Sequence, residues 1–63
     1  MKPYAIKVLT QRLEKERKDL IIFEQELRVV DDKSSIAWAD TNKKTCEYRI
    51  KELEESIEIL KTT

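Results

Sequence analysis

The sequence predicts an all-α fold: an antiparallel two-helix coiled-coil hairpin, which we expect to dimerise into a four-helix bundle or to form a higher oligomer. The first observation behind this prediction is composition. Of the residues 41% are charged, none is glycine and one is proline, a balance that favours long helices. The second observation is an apolar repeat of the coiled-coil type in each half of the chain. The third is a polar cluster between the two repeats.

The first repeat predicts a helix over about residues 3–30. Its members alternate in steps of three and four, which places them along one stripe of the helix, here called the seam. Pro3 suits the first turn of a helix, where its missing N–H is not needed. Glu16 is the one charged residue in this part of the seam. The first-helix seam consists of Ile6, Leu9, Leu13, Glu16, Leu20, Phe23, Leu27 and Val30.

The second repeat predicts a helix over about residues 36–61, with Lys43 as its one charged seam residue. Because a polar seam residue can fix register and oligomeric state, we interpret Glu16 and Lys43 as specificity positions. A polar pocket at the centre of a bundle is the alternative interpretation. The second-helix seam consists of Ile36, Ala39, Lys43, Cys46, Ile50, Leu53, Ile57 and Leu60.

The polar cluster predicts a turn over about residues 31–35. The first repeat, continued past Val30, would put Ser34 in the seam, whereas the second repeat puts Ile36 there. The register therefore shifts in this cluster, whose residue types favour turns and helix N-caps. We expect Ser34 or Ser35 to cap the second helix. The whole chain, 1–63, is expected to form a single domain.

The order of charges favours a hairpin over one continuous helix. The turn contains neither glycine nor proline, so a single long helix is the competing fold. Residues 2–18 are mainly basic, 19–32 mainly acidic, 33–51 mainly basic and 52–63 mainly acidic. Folding the chain back at Lys33 lays basic segments on acidic segments along the whole length, and we therefore predict the hairpin.

The folded-back register also predicts which residues are neighbours across the hairpin. We expect two ion pairs, Arg17 with Glu47 and Asp19 with Arg49. Each exposed pair contributes only about 0–1 kcal/mol, so the pairs bear on register more than on stability. The remaining expected neighbours are Val8 with Ile59, Val29 with Trp38, and Lys15 with Glu52.

A second set of apolar residues lies outside the seam, at one shared heptad position of each helix. An exposed apolar surface of this kind usually marks an interface, and we expect the partner to be another copy of the chain. Docking of an external partner is the alternative, and the opposite face of the hairpin is charged. The candidate interaction face consists of Val8, Ile22, Val29, Trp38 and Ile59.

The residue types that perform most enzyme chemistry are missing from this chain. It has no histidine and no glycine, which removes the commonest general base, the commonest metal ligand and any glycine-rich phosphate loop. Cys46 lies in the seam and is expected to be a small buried hydrophobe rather than a reactive thiolate. We therefore expect no catalytic residue, no cofactor and no bound metal ion.

The same sequence features predict a cytoplasmic protein without a membrane partner. A single cysteine fits a reducing compartment. The longest apolar run, residues 20–23, is far too short to span a bilayer. No apolar segment of the signal-peptide type follows Met1.

Three segments carry a resemblance to a known group of proteins. YAIKVL at 4–9, LEKE at 13–16 and IKELEESIEIL at 50–60 resemble small helical-hairpin accessory proteins encoded by phages and mobile elements of Gram-positive bacteria. The resemblance covers nearly the whole chain and implies a cytoplasmic, non-enzymatic protein. Many tiny phage proteins of this sort bind and disable a host factor. The resemblance therefore implies an inhibitor of a host protein, for example one of host defence.

Two other functions remain open at this point. In length and helix-turn-helix layout the chain is similar to Rop, a plasmid RNA-binding regulator that forms a four-helix bundle, although no motif is shared. The second open function is an oligomeric binder of a small nucleotide, which would use basic residues and an aromatic at a chain–chain junction. Partners are thus expected to be the chain itself and a host or phage protein, with nucleic acid or nucleotide as the alternative.

Overall fold

The computed structural model describes residues 2–62 and shows two helices folded against each other in an antiparallel hairpin. Helix α1 spans Lys2–Val29 and helix α2 spans Lys33–Thr62. The hairpin is a rod of 47 × 14 × 12 Å. The predicted all-α hairpin is confirmed. The predicted domain, 1–63, extends one residue beyond the described part at each end.

The turn is shorter than predicted, and its cap is a different residue. Helix α2 begins at Lys33 rather than near residue 36. The backbone N–H of Ser35 donates to Oδ2 of Asp32 at 2.9 Å, which is the hydrogen bond of an N-cap side chain to the third helical residue. The expectation that Ser34 or Ser35 caps α2 is therefore wrong, because both residues lie inside the helix. Asp32, the residue just before the helix, is the cap and accepts the N–H of Ser35.

The seam forms a thin core. Four residues of the described chain are buried apolar side chains, with exposures of 7% for Leu13, 0% for Ala39, 4% for Cys46 and 8% for Ile57. Most other seam residues are half-buried, because two helices can cover only one side of each other. Ile36, in the first turn of α2, is 40% exposed.

The accessible surface of the hairpin is large for its mass. It measures 5100 Å², whereas a compact monomer of this mass exposes about 4,200 Å². The radius of gyration, 14.5 Å, likewise exceeds the roughly 10.6 Å of a compact domain of this length. A lone hairpin therefore exposes about 900 Å² more than is usual for a folded monomer.

Neither helix within residues 2–62 has a stretch both long enough and apolar enough to cross a lipid bilayer.

Candidate functional site

The predicted interaction face is largely exposed in the hairpin. The exposed fraction is 50% for Ile22, 76% for Val29, 56% for Trp38 and 61% for Ile59, while Val8 is half-buried. Their heptad positions put all five on the same side of the rod, with Val29 and Trp38 toward the turn. Val8 and Ile59 lie toward the opposite end. The face thus has an apolar group at each end.

Trp38 is held by an aromatic contact within the seam. Its ring packs edge-on against Phe23, with centroids 5.5 Å apart and an interplanar angle of 74°, a favourable geometry for two aromatic rings. The sequence pattern predicted Val29 as its neighbour, but the ring contact is with Phe23. Contact with Phe23 holds the Trp38 ring in place, while more than half of its side chain is exposed. Trp38 is therefore an ordered apolar side chain that is accessible to a partner at the turn end.

A charged cleft of about 440 Å³ occupies the middle of the same face. Lys15 and Glu52, predicted to be neighbours, both line it. So do Arg12 and Arg49, which makes the cleft richer in cations than in carboxylates. The full lining is Arg12, Lys15, Glu16, Arg49, Glu52, Leu53 and Ser56. The sequence pattern marked the apolar ends of the face but not this cleft, whose depth depends on how the side chains are placed.

Glu16 is the most enclosed carboxylate of the cleft. Its side chain is 16% exposed, and its Oε1 lies 3.5 Å from Nη1 of Arg49. Its Oε2 is buried and has no hydrogen-bond partner among the described residues. Arg49 was predicted to pair with Asp19, and that prediction is wrong: the seam carboxylate takes the guanidinium instead. One oxygen of Glu16 is therefore removed from water, and no N–H or O–H donor of residues 2–62 compensates for the loss, a destabilising arrangement.

The Cys46 thiol lies next to this carboxylate in the seam. Burial raises the pKa of Cys46 above its ordinary value of 9.0. Hydrogen bonding to Glu16 and the negative charges of Glu16 and Asp19 raise it further, while Arg49 opposes them. A raised pKa means less thiolate at neutral pH and hence a less reactive cysteine. This environment is that of a structural cysteine, not of a nucleophile.

Lys43, the other charged seam residue, has no such partner. It is half-buried, and within residues 2–62 no carboxylate lies within ion-pair distance of its ammonium group. Glu16 pairs with Arg49 rather than with Lys43. The two polar seam positions are thus separate features of one hairpin, in agreement with their different positions along the repeat.

The opposite, charged face contains ion pairs that neutralise two of its cations. Nη2 of Arg17 lies 3.1 Å from Oε2 of Glu54, and Nζ of Lys44 lies 3.1 Å from Oδ2 of Asp40. The predicted pairing of Arg17 with Glu47 is wrong. Side chains of a helix lean toward its N-terminus, so in an antiparallel pair Arg17 and Glu54 lean toward each other, while Glu47 leans away.

Three large apolar or aromatic side chains of the described residues are exposed outside both the seam and the predicted face, and Tyr4, 70% exposed near the start of α1, is one of them. Ile21 is 55% exposed on the charged side of α1, and Tyr48 is 65% exposed on the side of α2 that points away from α1. Hydrogen bonding to Glu52, followed by the charge of that carboxylate, raises the pKa of Tyr48 above 10.0. None of the three contributes to the seam, so the hairpin itself gives no reason for an apolar side chain at these positions.

The site as a whole is suited to binding. An apolar group at each end and charges of both signs between them can be matched by a complementary surface. Comparison of the chain with protein-family models, with curated proteins and with solved structures finds no match. The geometry described above is therefore the basis for assigning a function.

Proposed function

We propose that this protein is a non-catalytic, self-associating helical hairpin that acts by binding another macromolecule. The observation that supports this proposal best is the accessible surface of 5100 Å², about 900 Å² more than a compact monomer of this mass exposes. The excess matches the roughly 800 Å² per partner of a standard protein–protein interface. A second copy on the interaction face would cover it.

The partner that we propose is a protein. The net charge of the chain is zero, and two of the cations on the charged face, Arg17 and Lys44, are held in ion pairs with carboxylates. Such a surface lacks the excess positive potential that dominates nucleic-acid binding. Exposed Tyr48 and Ile21 suit a protein partner better, since aromatic and large apolar residues are common anchors of protein interfaces.

We expect binding to inhibit the target protein, because the hairpin would occupy part of the target's surface. The resemblance to phage and mobile-element accessory proteins implies a host protein as the target, one of host defence for example, in the cytoplasm. A hairpin that assembles through one face keeps the outer sides of its helices available. We therefore propose that Tyr48, on the outer side of α2, contributes to the surface that contacts this target.

The experiment is a comparative pulldown with the purified, tagged protein as bait. Wild type, Tyr48→Ala and Lys51→Ala are used in parallel, because Tyr48 and Lys51 are both exposed on α2 and only the first is an aromatic anchor. We expect a defined protein that is retained by wild type and by Lys51→Ala, with and without nuclease, and that is lost at least about tenfold with Tyr48→Ala.

Other results would overturn the protein-binding proposal or the role of Tyr48 in it. Capture that disappears with nuclease would indicate an RNA binder of the Rop kind. Absorbance at 260 nm that co-purifies and survives nuclease would indicate a small-nucleotide binder that uses the cations of the central cleft. Equal capture by wild type and Tyr48→Ala would show that Tyr48 is not part of the surface that contacts the target.

A further inference from the structure

We propose that two hairpins pack through their interaction faces about a two-fold axis parallel to the long axis of the rod. In this arrangement α1 of each copy lies on α2 of the other, and both turns are at the same end. The inference rests on the self-association proposed above and deepens it, because it specifies how the two copies are oriented.

Two orientations are possible when a face of this shape pairs with itself. A symmetric dimer uses the same patch on both copies, related by a two-fold axis in the plane of contact. The axis can run along the rod, which keeps the turns together, or across the rod, which places the turns at opposite ends. The 47 Å length of the hairpin makes these arrangements very different, and the order of charges along the face distinguishes them.

The lengthwise axis places two pairs of opposite charges from the middle of the face against each other. With this axis, α1 of one copy and α2 of the other have the same register as α1 and α2 within one hairpin. Lys15 of one copy then lies opposite Glu52 of the other, and Asp19 lies opposite Arg49. Opposite charges across an interface steer and orient its partners. Because the axis is two-fold, each of these pairings occurs twice.

The same axis also places apolar residues opposite apolar residues. Val29, 76% exposed, lies toward the partner's Trp38, 56% exposed, at the turn end. At the other end half-buried Val8 lies toward the partner's Ile59. Burial of these side chains at both ends of the charged cleft would give the dimer a four-helix core in which each helix is antiparallel to its neighbours.

The crosswise axis brings like charges together at its centre. The middle of α1, which spans Lys2–Val29, falls between Lys15 and Glu16. A crosswise two-fold axis therefore places Lys15 of one copy opposite Lys15 of the other. Because Lys15 and Glu52 are level with each other and line the same cleft, the same axis places Glu52 of one copy opposite Glu52 of the other in α2. Like charges opposed in an interface are unfavourable, so the lengthwise axis is preferred.

Distances between spin labels test this orientation directly. Ser34 is exposed near the turn, and Ser34→Cys in a Cys46→Ala background gives one label per chain. With the lengthwise axis the two labels should lie within about 30 Å, since packed helices are separated by 8–10 Å and the label linkers add to this. With the crosswise axis the separation approaches the 47 Å length of the rod. Lys51→Cys, near the middle of α2, is the control, because it gives a short distance in either orientation.

Charge exchange provides a second test that keeps Cys46. We expect Lys15→Glu to weaken dimerisation about tenfold or more, because it puts like charges opposite each other twice per dimer. We expect the double change Lys15→Glu with Glu52→Lys to restore dimerisation. Sedimentation over a concentration series measures both effects, and circular dichroism verifies that each variant remains helical.

The outcomes separate this inference from the proposed function. A stable monomer of 7.5 kDa that gives no measurable spin-label distance at position 34 or position 51 would overturn both self-association and the lengthwise orientation. A dimer with a short distance at position 51 and a long one at position 34 would overturn the orientation alone. So would a dimer whose affinity is unchanged by Lys15→Glu.

Discussion

Replacement of Glu16 by leucine should stabilise the fold. The Glu16 side chain is 16% exposed and lies 3.5 Å from Arg49, and its Oε2 is buried without a hydrogen-bond partner in residues 2–62. Full burial of a leucine side chain contributes about 1.5–3 kcal/mol. Because the methylenes of Glu16 are already buried, leucine adds about two apolar carbons to a site that is about five-sixths buried, a gain of roughly 1 kcal/mol. Removal of a buried, unsatisfied oxygen adds a gain of about 1–3 kcal/mol at most.

The losses caused by Glu16→Leu are smaller than these gains. Arg49 loses its carboxylate, but its side chain is 60% exposed, so water solvates the guanidinium and the loss is about 0–1 kcal/mol. Leucine and glutamate have similar helix propensities, so the helix itself changes little. We expect a net stabilisation of roughly 2 kcal/mol, which for a domain of this size raises Tm by about 8–16 °C.

Urea unfolding monitored by circular dichroism at matched protein concentrations measures the change in Glu16→Leu. Glu14→Leu is the control, because Glu14 is an exposed residue of the same helix, and its replacement should change the free energy of unfolding by no more than about 0.5 kcal/mol. A decrease in stability for Glu16→Leu would refute the reasoning, since it would mean that the seam carboxylate contributes more than an apolar side chain can. Equal gains at both positions would show that charge, not burial, is responsible.

Two further predictions concern the core and the turn. Leu13→Ala should lower the free energy of unfolding by about 2–5 kcal/mol, because Leu13 is 7% exposed, whereas Glu58→Ala at an exposed position should be nearly neutral; comparable losses of Tm at the two sites would contradict the seam assignment. The pKa of Asp32 is lowered from 3.8, chiefly by the hydrogen bond from the backbone N–H of Ser35. Its stabilising effect is therefore present above pH 3.8 and is lost as the pH falls through the lower pKa of the folded state. Amide hydrogen exchange should show faster opening of the first turn of α2 in Asp32→Ala than in wild type at neutral pH, and exchange rates that are the same in both would argue against the cap.

The repeat and the charge order were sufficient to predict the hairpin, but not its local hydrogen bonds and ion pairs. Leu13, Cys46 and Ile57 are buried at seam positions, because spacing along a helix determines which side faces its neighbour. The cap was missed because adjacent residues of the turn have cap-forming side chains. Which one is used depends on the residue at which the backbone first becomes helical.

The wrong ion pairs have a similar physical origin. A heptad assignment gives the level of each Cα along the rod, but long side chains reach several residues in either direction. Arg17 and Glu54 meet because the side chains of both residues lean toward their helix N-termini. Heptad positions alone do not specify the direction of this lean. The central cleft was missed for the same reason, since the space between side chains is not encoded in their spacing along the chain.

The turn has a consequence for how the chain exchanges partners. In the described residues no backbone angle φ is positive, and no glycine or proline occurs between Val29 and Lys33. Nothing in the stereochemistry of this link therefore prevents it from becoming helical. If it did, α1 and α2 would fuse into one continuous helix. Because the register shifts by two residues in the turn, its two apolar stripes would lie on nearly opposite sides, and each stripe would pair with the complementary stripe of another chain, as in domain swapping. The closed hairpin is favoured by the high effective concentration of its own second helix, so the swapped form should accumulate as protein concentration rises.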